Sequence, residues 1–170
     1  MPDYEPIDLS RLCNAGLDVI DGDDVPPVGG PDDVAVIFYT SGTASKPKGV
    51  VMTYRELLAN APAAANMMGL TEDDRFIEFR AMNWGSALIL GGISPVYRGA
   101  TVILARRFSQ SRYFDWVREH KVTIGACNPT GLAMFINRPI DIKGSDVPHL
   151  RFMMSSSAPL MVAHWKLFEA

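Results

Sequence analysis

The hydrophobic pattern of this 170-residue chain changes character near residue 34. Before it, apolar positions follow no period. Asp21-Gly22-Asp23-Asp24 and Pro26-Pro27-Val28-Gly29-Gly30-Pro31 predict loops, with room for one short helix over Leu9 to Leu17. Val34 to Thr40 is then a run of β-branched and aromatic residues, which predicts a strand buried on both faces. Val50-Val51-Met52 is a second strand-like run. Thr53 follows with Glu56 three residues on, a capping box that opens a helix. Leu57, Leu58, Ala61, Ala64, Ala65 and Met68 form its apolar stripe. Pro62 is expected to kink or split that helix, and Gly69 to end it.

Strand and helix patterns alternate from there. Strands are predicted over Arg75–Phe79, Ala100–Ala105, Val122–Cys127 and Arg151–Ser155. Helices are predicted over Ser86–Arg98, with a kink at Pro95, and over Ser109–His120 and Thr130–Asn137. A last helix starts with Pro159 at its first turn. This alternation predicts an α/β fold: a doubly wound, mostly parallel sheet with helices on both faces. The loop-rich segment 1–33 is set apart from an α/β unit over 34–170. The last helix reaches Ala170 with its apolar stripe uncapped, so a piece of a larger domain is expected.

Composition narrows the function. Hydrophobic residues make up 48% and charged residues 21%, the balance of a folded globular chain. The net charge of −3 supplies no positive field for nucleic acid. The uncharged stretch from Met82 to Tyr97 holds three glycines and a proline, and falls short of the ~20 apolar residues of a spanning helix. Met1-Pro2-Asp3 is no basic leader, so a cytoplasmic protein is expected. Cys13 and Cys127 read as reduced thiols, with Cys127 an inert core residue. The three scattered histidines write no metal cluster, and Met67, Met68, Met153 and Met154 read as core filler.

The chemistry concentrates between the first two strands, in Tyr39-Thr40-Ser41-Gly42-Thr43-Ala44-Ser45-Lys46-Pro47-Lys48-Gly49. Small residues let backbone N–H groups approach an anion, hydroxyls add donors and lysines add charge, so a polyphosphate suits this loop. It is not a Walker A loop. Counting from Gly42, Pro47 stands where the second glycine belongs and Gly49 where a Ser or Thr belongs. An ordinary polar hairpin is the plain alternative.

The segment resembles the signature (Tyr/Phe)-Thr-Ser-Gly-Thr-Thr-Gly-x-Pro-Lys-Gly of the adenylate-forming superfamily, which holds acyl-CoA synthetases, luciferases and peptide-synthetase adenylation domains. It departs at Ala44, where the family offers a hydroxyl, and at Ser45, where it offers glycine. Arg98–Phe108, Val122–Thr130 and Leu150–Leu160 resemble later family segments in the same order. The resemblance covers residues from about 30 to 170. It implies part of the family's large N-terminal domain, from the acyl-CoA ligase branch.

In that family a carboxylate attacks the α-phosphate of MgATP, giving an acyl-adenylate and pyrophosphate, and coenzyme A then takes the acyl group. Thr40, Ser41, Gly42, Thr43, Ala44, Ser45, Lys46 and Lys48 would hold the phosphates. Asn83 stands where many members keep a histidine beside the acyl pocket. Ser156-Ser157-Ala158-Pro159 resembles the segment lining the adenine and acyl sites. Asn83 and Trp84 can equally open a buried helix, and the serines can equally end a strand and cap a helix. No catalytic residue and no metal ligand are expected within this stretch, and the chain alone is expected to be inactive. Its partners are then ATP, coenzyme A and a carboxylic acid, with self-association through uncovered apolar surfaces. A non-catalytic nucleotide-binding or scaffolding module is the competing function.

Overall fold

A computed structural model describes residues 29–40 and 47–169. The expected helix over Leu9–Leu17, Cys13 and the loop residues Ser41 to Lys46 lie outside the described residues. The chain divides between Gly30 and Pro31, and everything below concerns the unit from Pro31 onward.

β1 (Val34–Thr40) and β2 (Lys48–Thr53) pair antiparallel, with Thr40 opposite Lys48 and Val34 opposite Thr53. They form a two-stranded sheet of their own. This corrects the expectation that β1 is buried on both faces. Val34 and Tyr39 are 56% and 71% exposed. The reason is connection length: a parallel crossover needs a dozen or more residues, and the link from 41 to 47 permits only a hairpin.

α1 (Tyr54–Met67) starts at the expected capping box, Glu56 N–H donating to Thr53 Oγ1 at 3.3 Å and Thr53 N–H to Glu56 Oε2 at 2.9 Å. It runs unbroken through Pro62. Gly69, at φ +58°, takes the left-handed turn that closes it.

β3 (Arg75–Glu78), β4 (Thr101–Leu104), β5 (Ile124–Cys127) and β6 (Phe152–Ser155) make a parallel sheet in the order β4-β3-β5-β6. Between β3 and β4 lie a π-helical segment, Ala87–Ile93, and a short helix α2, Ser94–Tyr97. α3 (Tyr113–Glu119), α4 (Pro129–Asn137) and α5 (Val162–Glu169) complete the unit. α5 begins three residues after Pro159, which therefore does not occupy its first turn.

Alternating strand residues serve two cores. Phe76, Ile124 and Ala126 pack with Ala64, Ala65 and Met68 of α1. Ile77 and Cys127 pack with Tyr113, Phe114 and Val117 of α3 and with Leu132 and Phe135 of α4. Helices thus cover both faces, as the near-continuous apolar runs of the strands require. Gly125 permits one close approach here: a Cβ there would stand 2.6 Å from the Tyr113 hydroxyl, which donates to the Ala126 carbonyl at 2.8 Å.

Candidate functional site

The strand order reverses between β3 and β5, and in open α/β sheets the crevice outside the strands' carboxyl ends at such a reversal is the preferred ligand site. A cleft of about 400 Å³ lies there. Phe79 and Arg80 enter it from the end of β3, Asn128 and Thr130 from the end of β5, and Ser156 to Ala158 from the end of β6. Trp84, 59% exposed, stands at its side. A larger cleft of about 910 Å³ is lined mainly by apolar side chains such as Phe135, Ile140 and Trp165, together with Lys143, Arg151, Ser155 and Glu169.

The floor of the smaller cleft is built from charge. Glu78 is fully buried at the end of β3, and Arg80 is nearly so. The Glu78 carboxylate accepts from the Phe79 and Arg80 N–H groups at 3.0 and 2.8 Å, and from Arg80 Nε and Nη2 at 2.9 and 2.5 Å. Arg80 Nη1 donates to Ser156 Oγ and, at 3.5 Å, to Ser86 Oγ. Ser86 and Ser157 share a hydrogen bond at 3.3 Å. Gly91, within the π-helical segment, makes room for this pair, since a Cβ there would overlap the Glu78 carboxylate. Ser157 adopts φ 76°, a left-handed conformation that costs a non-glycine residue about 1–2 kcal/mol. Such outliers gather at functional sites.

On the β5 side, Asn128 caps α4, its Oδ1 accepting from Gly131 N–H at 2.8 Å, with Pro129 in the first turn. The helix therefore points its positive N-terminal end at the cleft. Behind it, burial pushes the Cys127 thiol up to about 11, and burial likewise holds the Tyr113 phenol well above its usual range. Neither group is primed as a nucleophile.

Of the residues expected from sequence, Trp84, Ser156, Ser157 and Ala158 surround the cleft. Asn83 sits on an exposed turn and Pro159 beyond the β6 turn, and neither lines it. Thr40 and Lys48 end the hairpin strands, where Thr40 Oγ1 donates to the Lys48 carbonyl at 3.4 Å. Ser41, Gly42, Thr43, Ala44, Ser45 and Lys46 lie outside the described residues. Phe38 of β1 lies 3.7 Å from where a Cβ on Gly85 would stand, so the hairpin packs beside the Trp84 segment. Glu78, Arg80, Asn128 and Thr130 were not anticipated. Their signal was present: Glu78 interrupts a buried apolar strand, and Arg80 follows two positions later, the spacing that shares a strand face.

A family model described as AMP-binding enzyme matches residues 4–170. The chain belongs to the AMP-binding enzyme family. It is 32% identical to a sulfoacetate–CoA ligase of Cupriavidus necator over 99% of this chain and 36% of that protein. It is also 32% identical to an indoleacetate–CoA ligase of Aromatoleum aromaticum, over 80% of this chain and 27% of the relative. Among solved structures, the inhibitor-bound N-terminal domain of FACL13 from Mycobacterium tuberculosis superposes with a TM-score of 0.75 at 29% identity, over 94% of this chain and 38% of that one. The chain thus spans about a third of the length of these relatives. Its parallel sheet with flanking helices is that of the adenylate-forming N-terminal domains. Among the described residues, no helix is long and apolar enough to cross a membrane.

Proposed function

We propose that this AMP-binding chain is the phosphate-loop-bearing part of an ATP-dependent acyl-CoA ligase. A carboxylate displaces pyrophosphate from the α-phosphate of ATP, and the thiol of coenzyme A then displaces AMP from the acyl-adenylate. The hydroxyls of Thr40, Ser41 and Thr43, the backbone of Gly42, Ala44 and Ser45, and the side chains of Lys46 and Lys48 hold the β- and γ-phosphates while charge builds on the leaving pyrophosphate. The cleft at the ends of β3, β5 and β6 takes the acid, with Trp84 and Ser156 to Ala158 as its walls. The observation that carries this reading is the placement of that cleft at the reversal of strand order, beside the hairpin that ends in Thr40 and Lys48.

Residues 34–170 act in this reading as one subdomain of a larger N-terminal domain, preceded by the loop-rich segment 1–33, in a cytoplasmic enzyme. The nucleotide arrives with Mg²⁺. Among the described residues, no three His, Cys, Asp or Glu side chains gather to hold a metal, and no step here runs through one. Catalysis by positioning needs all of the groups together. The 170-residue chain alone therefore does not turn over, and its exposed apolar hairpin favours self-association.

The test is pyrophosphate release by the full-length protein carrying this chain, with ATP, coenzyme A and a panel of carboxylic acids, and with the 170-residue chain run in parallel. Release that depends on one class of acid supports the reading. Ala44→Thr restores a donor to a charged group, worth about 1.5–3 kcal/mol, and should lower the apparent KM for ATP or speed adenylation. Ser45→Gly relieves any left-handed strain at the next position. ATP binding without pyrophosphate release from any acid, unchanged by Ala44→Thr, would leave a non-catalytic nucleotide-binding module instead.

A further inference from the structure

The floor of the cleft also bears on which acids the protein takes, an inference that rests on the ligase reading above. Among the described residues that line the cleft, Arg80 is the only charged one. An unpaired guanidinium in such a place would attract acids carrying a second negative group. Arg80 is not unpaired. Its Nε and Nη2 are directed at Glu78, which is itself fully buried and so cannot turn to solvent. Its Nη1 is directed at Ser156 and Ser86. The positive charge is cancelled in place, and each of the three guanidinium nitrogens already has a partner before any ligand arrives. The pair is also built into the fold, because only a glycine at position 91 leaves space for the Glu78 carboxylate.

We infer that Glu78 and Arg80 form a charge-neutral strut that sets acid specificity: it holds the Ser156–Ala158 wall and makes the cleft select a carboxylic acid whose tail carries no charge. The two curated relatives named above differ on this point, since sulfoacetate carries a sulfonate and indoleacetate an uncharged ring. The strut places this chain with the second kind. Glu78 and Arg80 are specificity-determining and positioning residues in this account, not catalytic ones.

The experiment measures kcat/KM for pyrophosphate release by the full-length protein with two sets of acids matched for size. One set has aliphatic or aromatic tails, and the other ends in a sulfonate or a second carboxylate. The wild-type protein should favour uncharged tails by tenfold or more. Glu78→Gln keeps the shape of the strut but leaves Arg80 charged towards the cleft. It should move the preference tenfold or more towards the charged tails, mainly through KM. The double variant Glu78→Gln/Arg80→Met, neutral again, should return to uncharged tails.

A role in packing alone would lower kcat/KM for both sets alike, and that result would overturn the inference. So would a wild-type protein that prefers sulfonates or dicarboxylates, a measurement that needs no variant to fold. Absence of pyrophosphate release with every acid overturns the ligase reading and this inference with it. Release with the opposite preference overturns this inference alone.

Discussion

Replacing Asp74 with asparagine removes one charge from the amino end of the sheet, opposite the cleft. Asp74 is 2% exposed and immediately precedes β3. Its carboxylate accepts from Thr71 N–H at 2.9 Å, from Thr123 Oγ1 at 2.6 Å, and from Arg151 Nη1 at 2.7 and 2.6 Å. Thr123 precedes β5 and Arg151 precedes β6, so one carboxylate ties three strands at their starts. Burial opposes ionisation of this group. The hydrogen bonds from Arg151, Thr123 and Thr71, with the Arg151 charge, outweigh it and hold the carboxyl below its usual value.

Arg151, the charge left behind, is 43% exposed and can return to water, so the loss is that of charge-assisted hydrogen bonds, about 1.5–3 kcal/mol, and not that of stranding a fully buried charge. Asp74→Asn should therefore cost about 2 kcal/mol near neutral pH. At about 2–4 °C per kcal/mol for a chain of this size, that lowers Tm by roughly 4–8 °C. The pH dependence has a definite sign. A carboxyl depressed in the folded state contributes its stability fully above its unfolded value, about pH 4, and loses it as pH falls through the folded value. Thermal melts followed by circular dichroism at pH 7 and in a series down to pH 2 measure both effects. The gap between the two proteins should close as the series descends. A cost below about 0.5 kcal/mol at pH 7, or a gap that acid does not narrow, would refute the reasoning. Thr123→Val shares the network, so its cost should add to that of Asp74→Asn by less than the sum.

Three further outcomes follow from local geometry. Gly125→Ala should cost about 2–3 kcal/mol in urea unfolding, because the fully buried Tyr113 cannot move away from the new Cβ without losing its bond to Ala126. In a Tyr113→Phe background most of that cost should vanish, and persistence of the full cost would contradict the assigned contact. Thr53→Ala should cost about 1 kcal/mol through loss of the α1 cap, while Thr53→Ser stays near wild type; equal effects of the two would exclude capping as the cause. In a Cys13→Ser background, Cys127 should react with iodoacetamide at pH 8 roughly a hundredfold more slowly in the folded than in the urea-unfolded chain, since burial raises the thiol to about 11. Comparable rates would show that the thiol is not held in the core.

Much of this architecture is written in short-range pattern. The runs around Phe76–Ile77 and Ile124–Cys127 identify strands covered on both faces because their residues are apolar on both sides of the pleat. The Thr53–Glu56 box and Gly69 bound α1 because a cap is a contact between residues three or four apart. The signature from Thr40 to Lys48 pointed to a phosphate ligand for the same reason: its residues act through one continuous loop.

What the tertiary structure decided is of another kind. The apolar run of β1 is equally compatible with the parallel sheet and with an exposed hairpin, and pairing with β2 settled it. The stretch from Ser86 to Arg98 has a helical pattern, but that pattern does not reveal the π-helical winding of Ala87–Ile93 or the Glu78 carboxylate of β3 packed against Gly91. Arg80 meets Ser156 across 76 positions and Asp74 meets Arg151 across 77, encounters that exist only because β6 lies next to β5 in the sheet. Local propensity reflects energies between near neighbours in the chain. The strut under the cleft and the tie at the opposite end are energies between strands, and they come into being only when the order β4-β3-β5-β6 is set.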